Sequence, residues 1–311
     1  MYIEQAFKGN NSWISNLIPM LCIAVFFGLN FMVSEEQIEK MNQSMRQMPN
    51  NEALILGLLP FAFLLGLLFL LFRSWHQRSL LSLTTSREKV DYKRIFFSFS
   101  LIVLLTVIGF LFSYFFDNSN MVWNFNLSKF SLLFLISLLL FPFQIGFEEY
   151  LFRGYLMQQI GVIVKNRWFP LLFTSIVFGL MHFANPEVAH LGYGVMVFYI
   201  GTGFLLGIMT LMDESLELAL GCHLGNNLIA ALLITSNYSA IQTDSIFKYS
   251  GVENPTAILI EMIISIAIVY PIILYIFAKR YNWTNWKAKL TGKVHLQIKK
   301  YDTQANASNN L

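Results

Sequence analysis

Residues 130–153 read FSLLFLISLLLFPFQIGFEEYLFR, and this stretch decides the fold. From Phe130 to Phe147 there is no charged side chain, and the run is long enough to span a bilayer core of about 30 Å as a helix. It then passes directly into Glu148, Glu149 and, four residues on, Arg153. The rest of the chain has the same character. Of 311 residues 56% are hydrophobic and 13% charged, with a mean hydropathy of +0.55. That leaves too few polar side chains to coat two soluble domains. The apolar content suffices for about eight spans of about 20 residues each.

Eight runs are found: Trp13 to Val33, Ala53 to Phe72, Ile95 to Phe116, Phe130 to Phe147, Phe169 to Ala184, Val195 to Met212, Leu216 to Thr235 and Thr256 to Ala278. The expected fold is an all-α polytopic membrane bundle enclosing a polar cavity. The first run is of spanning length with no small-residue cleavage site after it, so it reads as a span and not a removable signal. Within one domain, residues 1–129 form a three-helix scaffold and 130–235 carry the polar motifs. Residues 236–278 hold the last span with its connection, and 279–311 form a basic tail, polar enough after Tyr301 to be disordered.

Basic residues sort by side. With both termini cytoplasmic, seventeen lie inside, among them Lys8, Arg78, Arg87, Arg94, Arg153, Arg167 and the tail lysines. Only Lys40, Arg46, Lys129 and Lys248 lie outside. The asymmetry places both ends in the cytoplasm. Trp283 and Trp286, at the start of the tail, read as an interfacial anchor. A net charge of +3, distributed in this way, argues against nucleic-acid binding. Two cysteines, Cys22 and Cys222, exclude a disulfide framework and a cysteine-rich zinc site. Both read as small hydrophobes.

Ionisable residues at mid-membrane cost about 2.5–3.5 kcal/mol on insertion scales and therefore mark function. The first three spans have none at mid-depth. Glu149 and Arg153 are four apart and can pair on a helix, whereas Glu148 points about 100° away and is left free. A free carboxylate in a low-dielectric cavity suits general-base work on water. A plainer reading is that both glutamates cap a helix end. His76, His190 and His295 fall in connections and read as surface residues. His182 and His223 lie inside spans, and Asn227 shares a helix face with His223. Gly221 and Gly225 allow a close approach by a neighbouring helix or a substrate backbone. Phe178, one turn before His182, reads first as core packing. Together the set supplies a base, two imidazoles able to bind metal or donate hydrogen bonds, and an amide donor.

These motifs in this order, EExxxR (Glu148, Glu149, Arg153), FxxxH (Phe178, His182) and HxxxN (His223, Asn227), resemble those of the CPBP intramembrane proteases. That family includes the eukaryotic CAAX prenyl endopeptidases and the bacterial Abi-type proteins of bacteriocin processing and self-immunity. The resemblance covers about residues 130–235, which would then be the catalytic core. It implies that Glu148 and His182 activate water, His223 and Asn227 stabilise an oxyanion, and Glu149 and Arg153 support the site. It also implies a metalloprotease, with Glu148, His182 and His223 as candidate ligands of a divalent metal, zinc by expectation. HExxH is absent, however, and a glutamate acting without metal is the alternative.

The expected function is an intramembrane endopeptidase acting on a membrane-associated peptide or protein near the cytoplasmic face, in a bacterial cell membrane. The alternative is a non-catalytic bacteriocin-immunity or partner-binding protein of the same fold. A Glu/His proton relay in a transporter is a third reading, but no inverted repeat supports it. Depth presents one difficulty. If the fourth helix stopped at Phe147, Glu148 would sit at a membrane edge and His182 about 17 Å into the next span. The helix is therefore expected to run on through Arg153 towards Ile160, kinked at Pro142, with Glu148 in a cavity open to the cytoplasm.

Overall fold

Each apolar run is helical over most of its length in the computed structural model, which describes residues 1–10, 12–116, 118–251 and 254–295. A buried 3-10 turn (Ile3–Lys8) precedes α1 (Trp13–Phe31), α2 (Glu35–Arg46) and α3 (Asn50–His76). Then come α4 (Leu80–Thr84), α5 (Tyr92–Phe116), strand β1 (Met121–Trp123) and α6 (Leu127–Glu149). A π-helical turn (Tyr150–Leu156) joins α6 to α7 (Met157–Val164), followed by α8 (Trp168–Leu180), α9 (Pro186–Leu191), α10 (Met196–Asp213) and α11 (Glu217–Leu233). Strands β2 (Ile234–Ser236) and β3 (Phe247–Tyr249), α12 (Pro255–Ile264), α13 (Tyr270–Arg280) and α14 (Trp286–Thr291) are the last elements of the described residues. Among the described residues five helical paths are long and apolar enough to cross a membrane, and three shorter apolar helices, within α1, α8 and α11, fall on the remaining expected runs.

The decisive stretch behaves as expected. Asn126 caps α6 through the Lys129 amide, Pro142 sits inside the helix without ending it, and the path runs unbroken from Leu127 to Val164. It continues past Phe147 because Leu151, Phe152, Tyr155, Leu156 and Met157 all find buried positions. The result is a very long helix beside a short one, α8, which stops at Leu180.

Connections gather at two ends. One end carries the 3-10 turn, the 77–91 link and residues 157–167, 213–217 and 281–294, joined by Arg167–Glu4 at 2.5 Å and the Tyr2 amide on Glu214. The other end carries α2, the 182–195 link and the three-stranded sheet, ordered β1-β3-β2. Asn50 and Asn51 tie α3 to Asp244 there. The sheet and the docked 3-10 turn are elements that hydropathy does not reveal.

Three readings are corrected. His76 is not a surface residue: it is buried, bonded through Nδ1 to the Asn10 carbonyl at 3.0 Å and through Nε2 to the Tyr155 hydroxyl at 2.9 Å. Trp283 is buried in the core against Phe277, and only Trp286 is exposed enough to anchor at an interface. Arg78, Arg153 and Arg167, counted among the inside charges, are all buried. For Arg78, burial pushes the guanidinium down to about 10. The tail beyond residue 295 lies outside the described residues.

The third span, α5, is closely fitted to α11. Gly221 and Gly225 face α5: a Cβ at Gly225 would lie 2.8 Å from the Phe99 carbonyl oxygen, and one at Gly221 would strike that of Ile95. The small pair thus seats α5 and not a substrate, and the Ser98 hydroxyl donates to the Leu218 carbonyl at 2.6 Å alongside it. Gly225→Leu should therefore destabilise the purified protein by about 1–3 kcal/mol or more, read as a lowered Tm in detergent. An unchanged Tm would contradict this packing.

Candidate active site

The chemistry begins where α6 becomes π-helical. A π-turn widens the helix by one residue per turn and is common at functional sites. Here it follows Glu149 directly. Glu149 and Arg153 are both 0% exposed, and Arg153 Nη1 donates to Glu149 Oε1 at 2.8 Å. This is the pair read from the four-residue spacing. The same oxygen accepts from His223 Nδ1 at 2.8 Å. A carboxylate only accepts, so Nδ1 of His223 carries the proton in that bond. Arg153 Nη2 donates to the Gly203 carbonyl at 3.2 Å, and its guanidinium lies 4.1 Å from the centre of the Phe178 ring.

Glu148 is left out of that network, as its helical position requires. Its Oε1 accepts from Gln144 Nε2, one turn earlier, at 3.1 Å. Its Oε2 is buried without a hydrogen-bond partner and lies 3.7 Å from His223 Nε2. Gln144 was visible in the sequence at four before Glu148, yet it drew no role because an amide at a helix end looks unremarkable.

His182 comes from the short helix. Because α8 ends at Leu180, residues 181–184 form a turn at membrane depth, and His182 occupies it. Irregular backbone at that depth is tolerated where it lines a cavity or is covered by protein. Here it lines a cavity. His182 Nδ1 donates to the Phe178 carbonyl at 2.8 Å, since a carbonyl cannot donate, which leaves Nε2 free in the neutral ring. Phe178 joins the two histidines, its ring centre 5.0 Å from that of His182 and 5.8 Å from that of His223. Phe178 is core, as read, and its ring also touches both imidazoles and the Arg153 guanidinium. The depth difficulty disappears: Glu148 is sixteen residues before Val164 and His182 fourteen after Trp168, about 24 and 21 Å along antiparallel paths.

The cavity holds about 590 Å³. Gln144, Glu148 and His182 supply polar wall, and Phe26, Phe61, Phe147 and Leu151 supply apolar wall. Met41, Arg46, Asn185 and Gln242 border it. Those four belong to the end away from the 3-10 turn and the basic links, so the cavity opens opposite to the side expected. The expectation failed because the cavity forms above the short α8 and not below the end of α6. His223 sits behind Glu148 and does not line the cavity. Neither does Asn227, whose Oδ1 accepts from Asn226. The structure thus brings Glu148, Glu149, Arg153, His182 and His223 together and leaves Asn227 outside their hydrogen bonds.

The three expected metal ligands do not form a ready site. Among the described residues no three His, Cys, Asp or Glu side chains are arranged to hold a metal ion. His223 is turned to Glu149, while Glu148 and His182 share the cavity without it.

The fold and the cluster define a class: a polytopic α-helical membrane protein with a buried Glu–Arg–His network beneath an intramembrane cavity. Residues 127–229 match the family model of the type II CAAX prenyl endopeptidase Rce1-like proteins, from the first residue of α6 to just past Asn227. Over 164 residues the chain is 33% identical to the uncharacterized protein YyaK of Bacillus subtilis (strain 168). That match covers 52% of this chain and 55% of YyaK, so the chain spans about half the length of the curated relative. No solved structure matches.

The buried pair makes a clear prediction. Arg153→Met alone leaves the Glu149 carboxylate uncompensated and should cost about 3–5 kcal/mol. Adding Glu149→Gln, which removes the orphaned charge, should restore most of the loss. Thermal unfolding of both variants in detergent provides the check.

Proposed function

We propose that the chain is a CAAX-type intramembrane endopeptidase that hydrolyses a peptide bond in a membrane-associated peptide or protein. The observation that carries this reading is the unpartnered Oε2 of Glu148, held in the same cavity as His182, whose bonded Nδ1 leaves Nε2 available. A water between them gives one proton to Glu148 and adds its oxygen to the peptide carbonyl carbon. When the tetrahedral adduct collapses, the C–N bond breaks and the proton passes from Glu148 to the departing amine. Gln144 keeps Glu148 Oε1 occupied, so Oε2 is the oxygen that works. Glu149 and Arg153 hold the frame. Of the two expected oxyanion groups, Asn227 stands outside the cavity and takes no part in this step, whereas His223, whose Nε2 lies 3.7 Å from Glu148 Oε2, would stabilise the oxyanion from behind Glu148. His223 can do so from Nε2 only with protons on both nitrogens, because Nδ1 is committed to Glu149.

Substrate enters from the end that carries α2, or from the bilayer between α1 and α3, whose Phe26 and Leu56 are both cavity wall and outer surface. With both termini cytoplasmic, as the basic residues direct, that end lies across the membrane from the cytoplasm. A membrane-impermeant maleimide applied to intact cells should then label Lys40→Cys and spare Lys89→Cys. The reverse pattern would invert the orientation.

The activity itself is tested on cells carrying wild-type protein or Glu148→Ala at equal membrane levels. Comparison of their membrane peptidomes should show cleavage products lost in the variant, by at least about 100-fold for removal of a general base. An unchanged peptidome, with any protective phenotype retained, would instead favour a partner-binding immunity role.

A further inference from the structure

His182 has an unusual problem. It stands in a turn inside the membrane, without the helix ladder that normally fixes a side chain's backbone, yet the proposed chemistry needs its Nε2 aimed into the cavity. Its Nδ1 bond to Phe178 fixes one nitrogen, and the turn keeps its own backbone bonds, His182 N–H to the Gly179 carbonyl and Asn185 N–H to the His182 carbonyl. A further tie, through side chains, comes from α10.

The Tyr199 ring stacks on the His182 ring with centres 4.3 Å apart and planes 20° from parallel. The Tyr199 hydroxyl donates to Glu187 Oε1 at 2.9 Å and accepts from Asn185 Nδ2 at 3.2 Å. Asn185 and Glu187 follow His182 by three and five residues. One side chain of α10 therefore covers the imidazole face and ties down the segment that carries it. Tyr199 is not part of the cavity wall. The neighbouring helices are registered closely enough to make this clasp specific: a Cβ at Gly179 would lie 2.9 Å from the Ile200 amide nitrogen, so α8 and α10 touch backbone to backbone one residue from Tyr199.

We propose that Tyr199 is a positioning residue for His182, setting its ring plane by stacking and its turn by the two hydroxyl bonds. The proposal rests on the endopeptidase reading for its purpose but not for its test. Groups that also act on the His182 ring are Glu148, His223 and Arg153, and all remain in place in the variants below.

The full-length protein, labelled with 15N-histidine and placed in lipid nanodiscs, reports this directly through its imidazole nitrogens, with His182 assigned by its loss in His182→Gln. In the wild type the His182 pair should show a single neutral tautomer protonated at Nδ1. Tyr199→Ala should average the two nitrogens while the His223 pair stays put. Tyr199→Phe, which keeps the ring and removes only the hydroxyl, is the variant least able to disturb folding and should give partial averaging or broadening. Turnover of the products lost in Glu148→Ala should fall in Tyr199→Ala by up to about 100-fold, the cost of about 1 Å of misplacement. Tyr199→Trp, which restores a stacking face, should recover part of it. The proposal is overturned if the His182 nitrogens of Tyr199→Phe, and of Tyr199→Ala wherever its other histidines remain at wild-type positions, coincide with those of the wild type. An active Glu148→Ala would instead overturn the endopeptidase reading and leave the tautomer result standing.

Discussion

Oxygen Oε1 of Glu149 carries the structure. It accepts from Arg153 on its own helix and from His223 on α11, and both members of the ion pair are fully buried. Removing two charges from water costs several kcal/mol each, and attraction offsets that only when the remaining hydrogen bonds are also satisfied. Arg153 reaches further, to the Gly203 carbonyl on α10 and the face of Phe178 on α8, although Glu149 Oε2 and Arg153 Nε stay buried without a protein partner. Four helices converge on one carboxylate because the alternative is an uncompensated charge in a medium that cannot solvate it.

Once that network is in place, the free groups follow. Helical geometry turns Glu148 about 100° from Glu149, so the pair that anchors the bundle also leaves its neighbour unpaired. The short α8 then supplies the other half. By stopping at Leu180 it puts a turn where a longer helix would have continued, and the space above the turn becomes the cavity. A bundle of eight full-length helices would have filled that volume with leucine and phenylalanine. Adjacent residues thus differ sharply in surroundings, Glu149 held in an ion pair with Arg153 and Glu148 facing the cavity.

Much of this was legible in the chain. The Glu149–Arg153 pair and the freedom of Glu148 follow from spacing alone, and the extension past Phe147 follows from requiring Glu148 and His182 to meet at one depth. Other features were hidden for physical reasons. Tyr199 is one aromatic among many in apolar runs, and its role depends on a stacking partner seventeen residues earlier that periodicity does not predict. His76 lies amid basic residues and looked solvated, but its partners, Asn10 and Tyr155, are brought by remote segments. The side on which the cavity opens depends on where α8 ends, and a Phe-Gly-Leu-Met-His run contains no stop signal of the Pro or Gly-cap kind.

The segment around Tyr2 draws in a different constraint, one of time. Tyr2 and Ile3 are wholly buried, against Leu83, Gly161 and Glu214, and Glu4 pairs with Arg167. These first residues leave the ribosome well before residues 161–214 exist, and synthesis at about 5–20 residues per second makes them wait about 10 s or more. During that interval the 3-10 turn has nothing to dock on, and α1 must enter the bilayer with its leading segment loose. Closure of the bundle at this end therefore waits for the later segment and joins residues 2–4 to residues 161–214. A tag or fusion that delays or blocks that docking would act on assembly long before it could act on the site.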